Sequence, residues 1–228
     1  MPAFFLRSTA PFPDPRTGDP GGLLAVGGDL APGRLLEAYA AGIFPWFNEG
    51  DPVMWWCPPE RAVWLPGDFQ PGGRLRRALR AKGFQIRVDS AFESVIQACA
   101  QVRRHGEPGT WIGPEMIQAY TELHRLGFAH SFEAWSGSRL AGGLYGLSLG
   151  AAFFGESMFS REREASKAAF AALSETVFAW GFHFIDGQLV NPHLSRLGAR
   201  TLTRDAFLGH LQEALREPTR RGSWGLPT

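Results

Sequence analysis

Three consecutive strand-like segments, followed by a long helix and one more short strand, most constrain how this chain can fold. The apolar patterns predict strands at residues 128–135, 139–149 and 151–158 in meander order. A helix is predicted over about 164–180, and a short apolar strand follows at 182–186. With the helices predicted before and after them, these segments give the order αβααβββαβα from residue 72 onward. The sequence therefore predicts an α+β fold in which helices flank a mixed sheet.

The first quarter of the chain has a different pattern. Pro and Gly interrupt residues 1–62 repeatedly, and one short helix is predicted within 29–41, with Leu35 and Tyr39 in its apolar stripe. From residue 63 the pattern becomes regular. We expect a small, loop-rich N-terminal domain at 1–62 and a larger domain at 63–228.

The cysteine, histidine and serine residues do not have the spacing of a metal site, a disulfide framework or a serine nucleophile. Cys57 and Cys99 are far apart and form no CxxC motif, and the six histidines are scattered. We expect no metal and a reducing compartment. The segment GESMF at 155–159 approaches the nucleophile elbow G-x-S-x-G, but Phe159 replaces the second glycine, which disfavours serine hydrolysis.

No segment has the pattern of a membrane span or a secretion signal. The N-terminus lacks a charged region followed by an apolar run, and no apolar stretch reaches about 18 residues. We expect a cytoplasmic protein that does not bind membranes. The formal net charge is only +1, so any surface that binds nucleic acid has to be a local basic patch.

One basic patch lies on the helix predicted at 72–82 and on the strand after it. Its members are Arg74, Arg76, Arg77, Arg80, Lys82 and Arg87. Such a patch is suited to the phosphates of a nucleic acid, and binding there would depend strongly on salt. A solvated helix face has the same pattern, and the sequence leaves both interpretations open.

A candidate site is expected where two strands end in polar residues. One strand ends near Glu156, and the strand after the long helix ends at Asp186, with Gln188 two residues later. If the two strands are neighbours in the sheet, these polar ends converge. Apolar residues in this part of the chain would then form a hydrophobic pocket with the polar groups at its mouth. They are Leu144, Phe153, Met158, Phe170 and Ile185. The same residues are typical of an ordinary core, and their spacing does not distinguish the two interpretations.

Five strings stand in order between about residue 20 and residue 205. They are GGDLAPGRLLEAYAAGIFPWF, MWWCPPERAV, PGTWIG, YGLSLGAAFFGESMFSREREASKAA and FIDGQLVNPHLSRLGA. Together they resemble the leucyl/phenylalanyl-tRNA-protein transferases. The resemblance implies a small N-terminal domain and a catalytic domain of the GNAT acyltransferase type. No cofactor is expected, because SREREASKAA replaces the glycine-containing loop that holds the diphosphate of acyl-CoA in GNAT enzymes.

The resemblance also implies a reaction and its partners. Leu or Phe, and less well Met, is expected to pass from Leu-tRNA or Phe-tRNA to the α-amine of proteins with N-terminal Arg or Lys, which marks them for degradation. Trp46 and Trp111 are implied to stack on the terminal adenosine, with interdomain packing as the alternative. The basic patch would contact the acceptor stem, and the enzyme is expected to be a monomer.

Three polar residues are expected to act on the reacting groups. Asp186 and Gln188 would orient the attacking amine, because an amide is a poor base. A relay through them that removes the proton, or one through the vicinal hydroxyl of the adenosine, remains open. Glu156 would hold the amine or the cationic side chain of the acceptor, and an ion pair with Arg161 is the structural alternative.

Two other functions stay open beside this one. An acetyl-CoA-dependent GNAT N-acetyltransferase would bind CoA tightly in calorimetry. A noncatalytic tRNA-binding protein would bind charged tRNA without consuming it.

Overall fold

The computed structural model describes residues 4–7, 9–102 and 111–225, except the side chain of Arg74, and contains eleven strands and seven α-helices there. The strands are β1 (Phe4–Leu6), β2 (Leu23–Gly27), β3 (Phe44–Pro45), β4 (Met54–Trp56), β5 (Glu60–Trp64), β6 (Gln85–Val88), β7 (Ala129–Ser136), β8 (Arg139–Leu149), β9 (Ala152–Ser160), β10 (Phe184–Asp186) and β11 (Arg200–Thr203). The helices are α1 (Pro32–Ala40), α2 (Gly73–Lys82), α3 (Phe92–Ala100), α4 (Pro114–Arg125), α5 (Ala165–Ala179), α6 (Pro192–Arg196) and α7 (Arg204–Ala214).

The strands form two sheets. The smaller sheet has the order β1-β2-β4-β3, and the larger has the order β11-β5-β10-β9-β8-β7-β6. Within the larger sheet every neighbouring pair is antiparallel except β9 and β10, which are parallel. The long helix α5 supplies the crossover that a parallel pair needs. The predicted fold class, α+β with helices around a mixed sheet and a small N-terminal part, is confirmed.

The predicted meander corresponds to β7, β8 and β9. The sequence did not predict β5, α6 or β11, although β5 and β11 form one side of the larger sheet. All three elements are short, and β11 is largely exposed, so none of them has a long apolar period. The expected boundary between residues 62 and 63 falls inside β5.

Among the described residues, two large hydrophobic clusters and one small cluster between α5 and strands β7 and β8 pack against the larger sheet. The first includes Tyr39 of α1 and Tyr120 of α4, so the N-terminal part and the larger sheet share one core. The second includes Phe170 and Leu173 of α5 together with Ile185 of β10. Adjacent residues of one strand can therefore contribute to different clusters, as side chains alternate between the two faces.

Glycines in β8 allow close approach from both sides. A Cβ atom at Gly142 would lie 2.6 Å from Cβ of Ala165, at the start of α5. A Cβ atom at Gly146 would lie 2.2 Å from the carbonyl oxygen of Phe154 in β9. Larger residues at these positions would push away the helix or the strand.

Among the described residues, none of the helices combines the length and the apolar character that a membrane crossing requires.

Candidate active site

The candidate site forms where the two parallel strands separate. β9 and β10 pair from Ala152 with Phe184 to Phe154 with Asp186. β10 then ends, whereas β9 continues to Ser160 in register with β8. A cavity of about 720 Å³ opens there, and the structure brings Glu156, Asp186 and Gln188 together on its lining.

Apolar side chains form much of the cavity wall. Of the five predicted pocket residues, Leu144, Met158, Phe170 and Ile185 line the cavity. Phe153 does not. It is fully buried, and its ring centre lies 6.0 Å from that of Trp224. Phe153 pairs with Ile185 before the strands part, so it lies below the opening.

A β-bulge at Glu156 determines which way the side chains of β9 point. Tyr145 pairs with Ser157 and Gly146 pairs with Gly155, so Glu156 is an extra residue with no partner on β8. Before the bulge, Phe154 packs in the first cluster. After it, Met158 packs against the second. The bulge thus directs Met158 to the apolar wall while Glu156 points towards the tyrosines of the first cluster.

Glu156 is the centre of a buried hydrogen-bond network. It is 7% exposed and accepts hydrogen bonds from Tyr39 Oη at 2.6 Å, Tyr120 Oη at 3.2 Å and Gln188 Nε2 at 2.9 Å. The two tyrosine hydroxyls also lie within hydrogen-bond distance of each other. Because each hydroxyl has a single proton, a hydroxyl that donates to its neighbour does not donate to Glu156 at the same time. The alternative partner, Arg161, instead lies over the ring of Phe159 at 5.4 Å.

Burial dominates the protonation of this network. It raises the pKa of Glu156 to about 7, against the opposing effect of the three hydrogen-bond donors. Burial and the nearby charge of Glu156 also raise the pKa of Tyr39 and Tyr120 well above the usual value. The tyrosines therefore stay protonated and can donate to Glu156.

The backbone holds Gln188 in one orientation. Its φ of +61° lies in the left-handed region, which is uncommon for a residue other than glycine. Its N–H donates to Asp186 Oδ1 at 2.8 Å, and its carbonyl accepts from Ala62 N at 3.0 Å. Because Nε2 donates to Glu156, the side-chain Oε1 is left as the hydrogen-bond acceptor for a ligand in the cavity.

Asp186 is held by a buried arginine that the sequence analysis missed. Arg61 is fully buried in β5 and forms an ion pair with Asp186 through Nε, at 3.2 Å, and Nη2. Its Nη1 donates to the carbonyl of Gly42 at 3.0 Å, and its guanidinium lies 4.2 Å from the ring centre of Phe207. Both oxygens of Asp186 are engaged, and Oδ1 also accepts from the main-chain N–H of Gln188. An arginine directly before the apolar run AVW in ERAVW was the signal available in the sequence.

Besides Trp64 of β5, the two tryptophans predicted to stack on a base, which come from different parts of the chain, line the same cavity. They are Trp46, which follows β3, and Trp111, which precedes α4. The ring of Trp46 lies 5.6 Å from that of Trp56, whose Nε1 donates to the carbonyl of Trp46 at 2.7 Å. Trp46 is partly exposed, whereas Trp111 is 7% exposed.

The basic patch is exposed and lies beside α5. The described side chains of the patch, those of Arg76, Arg77, Arg80, Lys82 and Arg87, are all exposed; that of Arg74 lies outside the described part of the chain. Leu79 of α2 packs against a cluster that contains Ala165 and Ala168 of α5. Ser166, on the same helix, lines the cavity, whereas none of the patch's described residues does.

The groups on the cavity lining are suited to positioning a ligand. Within the described ranges, no group of three or more His, Cys, Asp or Glu side chains is placed to hold a metal ion. The cavity offers an apolar wall, one amide acceptor, a buried carboxylate and aromatic surface. These groups can hold a ligand with an apolar side chain and orient an amine towards it.

Comparisons with known proteins place these features in a family. The model described as "Leucyl/phenylalanyl-tRNA protein transferase" matches residues 63–212, and that of its N-terminal domain matches residues 28–59. The chain is 53% identical to the leucyl/phenylalanyl-tRNA–protein transferase of Desulfatibacillum aliphaticivorans, over 99% of this chain and 97% of the relative. It is 51% identical to that of Myxococcus xanthus (strain DK1622), over 98% and 97%.

Similarity to solved structures is weaker. The C-terminal domain of a putative lysylphosphatidylglycerol synthetase from Agrobacterium fabrum is 13% identical, with a TM-score of 0.40 and coverage of 80% of this chain and 62% of that one. L-PGS from Bacillus licheniformis is 13% identical, with a TM-score of 0.37 and coverage of 68% and 50%. At these scores the likeness carries no argument about activity.

Proposed function

The chain belongs to the leucyl/phenylalanyl-tRNA-protein transferase family, and on that premise we propose that it transfers Leu or Phe, and less well Met, from tRNA to the α-amine of proteins that begin with Arg or Lys. The observation that carries the proposal is a single cavity that combines the apolar wall, the Gln188–Glu156 pair and two tryptophans.

The apolar wall accounts for the choice of donor. Leu144, Met158, Phe170 and Ile185 surround space for an unbranched or γ-branched side chain. A side chain branched at Cβ would crowd the neck of this space. A methylene changes such discrimination by only about 1 to 3 kcal/mol, which is why Met is expected as a poorer donor.

The tRNA is held mainly by contacts that do not read its sequence. Trp46 and Trp111 stack on the terminal adenosine, a contact worth about 1 to 3 kcal/mol per base. The exposed arginines of α2 contact phosphates of the acceptor stem. Both kinds of contact suit an enzyme that must use different leucine and phenylalanine tRNAs.

Transfer forms one bond and breaks one. The amine nitrogen attacks the ester carbonyl, a peptide bond forms, and the bond to the ribose oxygen breaks. The proton lost by the amine balances the proton gained by that oxygen, either directly or through the vicinal hydroxyl. Gln188 Oε1 accepts a hydrogen bond from the attacking amine, and Asp186 fixes Gln188 through its backbone N–H. The main contribution of the protein is therefore orientation.

Glu156 has an indirect role in this proposal. Three hydrogen bonds already occupy its carboxylate, and it is almost fully buried. It orients the amide of Gln188, and its charge near neutral pH favours an acceptor with a cationic first residue over a neutral one.

The decisive assay combines the purified protein, Phe-tRNA and a peptide that begins with Arg. Mass spectrometry is expected to show one added Phe at the α-amine. The same peptide with an acetylated N-terminus should remain unmodified, and a peptide that begins with Ala should react much more slowly. Absence of product with verified charged tRNA would contradict the proposal.

The loop between β9 and α5 argues against acetyl-CoA as the donor. Its charges balance, since Glu162 and Glu164 alternate with Arg161 and Arg163, but it contains no glycine, and Ser160 Oγ already accepts from the backbone N–H of Ser166 at 3.2 Å. A loop without glycine and with an occupied N–H is unfavourable for a diphosphate at this helix end. Tight binding of CoA in calorimetry would contradict this reasoning.

We further propose that the modified proteins are marked for degradation and that the enzyme works as a monomer in the cytoplasm, where charged tRNA is available. The role in degradation and the monomeric state rest on the family resemblance, and the cytoplasmic location rests on the sequence pattern. The molar mass from light scattering tests whether the enzyme is a monomer. The half-life of an Arg-initiated reporter protein, in cells with and without the gene, tests the role in degradation.

A further inference from the structure

The strand β9 has two partners along its first residues and one partner along the rest. Ala152 to Phe154 lie between β8 and β10. Beyond Phe154, within the described chain, β9 pairs with β8 alone. Residues 155–160 all line the cavity, so the unpaired edge of the strand faces the candidate active site. An unpaired edge of this kind is a template for another strand.

The hydrogen-bond ladder shows which backbone groups this edge offers. Arg161 N donates to Ala141 O at 2.8 Å, so these two residues are a hydrogen-bonded pair. Hydrogen-bonded and non-hydrogen-bonded pairs alternate in antiparallel strands. Ser160, opposite Gly142, is therefore in a non-hydrogen-bonded pair, and Met158, two residues earlier, is in another. The N–H and C=O groups of Met158 and Ser160 point away from β8, towards the cavity.

The reacting groups set the direction in which an extended polypeptide would pair with this edge. An acceptor whose α-amine reacts at Gln188, next to the point where β9 and β10 separate, would run parallel to β9. One residue lies between Met158 and Ser160, donates its N–H to the carbonyl of Met158 and accepts from the N–H of Ser160. The residue two positions later donates to the carbonyl of Ser160. Across the cavity, Val190 is 40% exposed and offers an apolar contact for a side chain of the bound segment.

We propose that the first residues of the acceptor protein bind as an added strand along Met158–Ser160 of β9. This inference rests on the proposed function, since it requires an acceptor whose amine reacts at Gln188. Pairing through the main chain provides affinity without reading side chains. It therefore suits an enzyme whose acceptors share their first residue and differ afterwards.

The test uses the unchanged protein and a set of Arg-initiated peptides, each with one backbone amide of residues 2–6 methylated. A methyl group removes the N–H donor and blocks pairing at that position. We expect kcat/KM to fall about tenfold at two amides that are two residues apart, mainly through KM, because each loses a hydrogen bond to the edge. The amide between them should change kcat/KM by less than about threefold. The KM for Phe-tRNA, measured with the same peptides, should not change.

Equal sensitivity at neighbouring amides, or no sensitivity at any, would overturn the inference. No sensitivity is also the result expected if the tRNA end occupies this edge. Arginine amide has no second residue, so it tests the proposed function separately, and it should be aminoacylated with a raised KM. If neither arginine amide nor the unmethylated peptide forms product, the proposed function fails, and the inference fails with it.

Discussion

Replacement of Glu156 by Gln should change how the stability of the protein depends on pH. Burial raises the pKa of Glu156 to about 7 in the folded state, compared with 4.5 for an ordinary glutamate. Between these two pH values the folded state keeps a proton that the unfolded state has released. The contribution to stability is therefore fully present below about pH 4.5 and is lost as the pH rises through 7.

The size of the effect follows from this difference in pKa. An increase from 4.5 to about 7 corresponds to roughly 3 kcal/mol of stability lost on full ionisation, and to about 2 to 3 kcal/mol between pH 5 and pH 8.5. Glu156→Gln has no proton to lose. Relative to the wild type, the variant should therefore gain about 2 to 3 kcal/mol in free energy of unfolding over this range.

Urea unfolding of both proteins at several values between pH 5 and 8.5 measures this difference. All other titrating groups are shared, so their contributions cancel when the two proteins are compared. Glu175→Gln, on the exposed side of α5, is the matched control and should show a constant difference near zero. A constant difference between Glu156→Gln and the wild type would refute the reasoning, because it would mean that Glu156 is ionised in the folded state at pH 5.

Further substitutions separate the roles assigned to individual residues. Gln188→Ala should lower kcat tenfold or more while changing the KM for Phe-tRNA less than about threefold, and steady-state kinetics with an Arg-initiated peptide would show a reversed pattern if the assignment is wrong. Trp111→Ala should weaken binding of charged tRNA by about tenfold in filter binding, since a stacked base is worth about 1 to 3 kcal/mol; unchanged affinity would exclude stacking. Arg61→Ala leaves Asp186 buried without its cation and should cost about 3 to 5 kcal/mol in urea unfolding, and a loss below 1 kcal/mol would contradict the buried ion pair. Arg80→Gln should reduce the slope of log affinity against log salt by about 0.7 to 0.9, and an unchanged slope would place Arg80 outside the tRNA contact.

The local pattern of the sequence was sufficient for the main elements. The meander β7–β9, the helix α5 and the strand β10 all follow from apolar periodicity and from glycines at the ends of elements. Because β10 returns next to β9, the polar residues at their ends were expected to meet, and the structure brings them to one cavity. The apolar wall was anticipated in the same way, except that Phe153 lies below the cavity.

The partners of the site residues were not predictable from local pattern. Tyr39 and Tyr120 lie 81 positions apart and meet over Glu156 only because α1 and α4 pack in the same core. Arg61 and Asp186 are 125 positions apart and become an ion pair because β5 joins the sheet beside β10. Such contacts depend on strand order, which the period of a single segment does not contain.

The sequence by itself determined the types of residue available, the order of the main elements and the family to which they are similar. The tertiary structure decided which partners each polar group has. Glu156 has no partner on β8 and forms a β-bulge in β9. This bulge directs Glu156 towards two tyrosines and Met158 towards the apolar wall, and no periodicity in the sequence reveals it. The physical reason is that apolar periodicity reports which face of a strand is buried. Register and neighbours are set by the packing of segments that are distant in the chain.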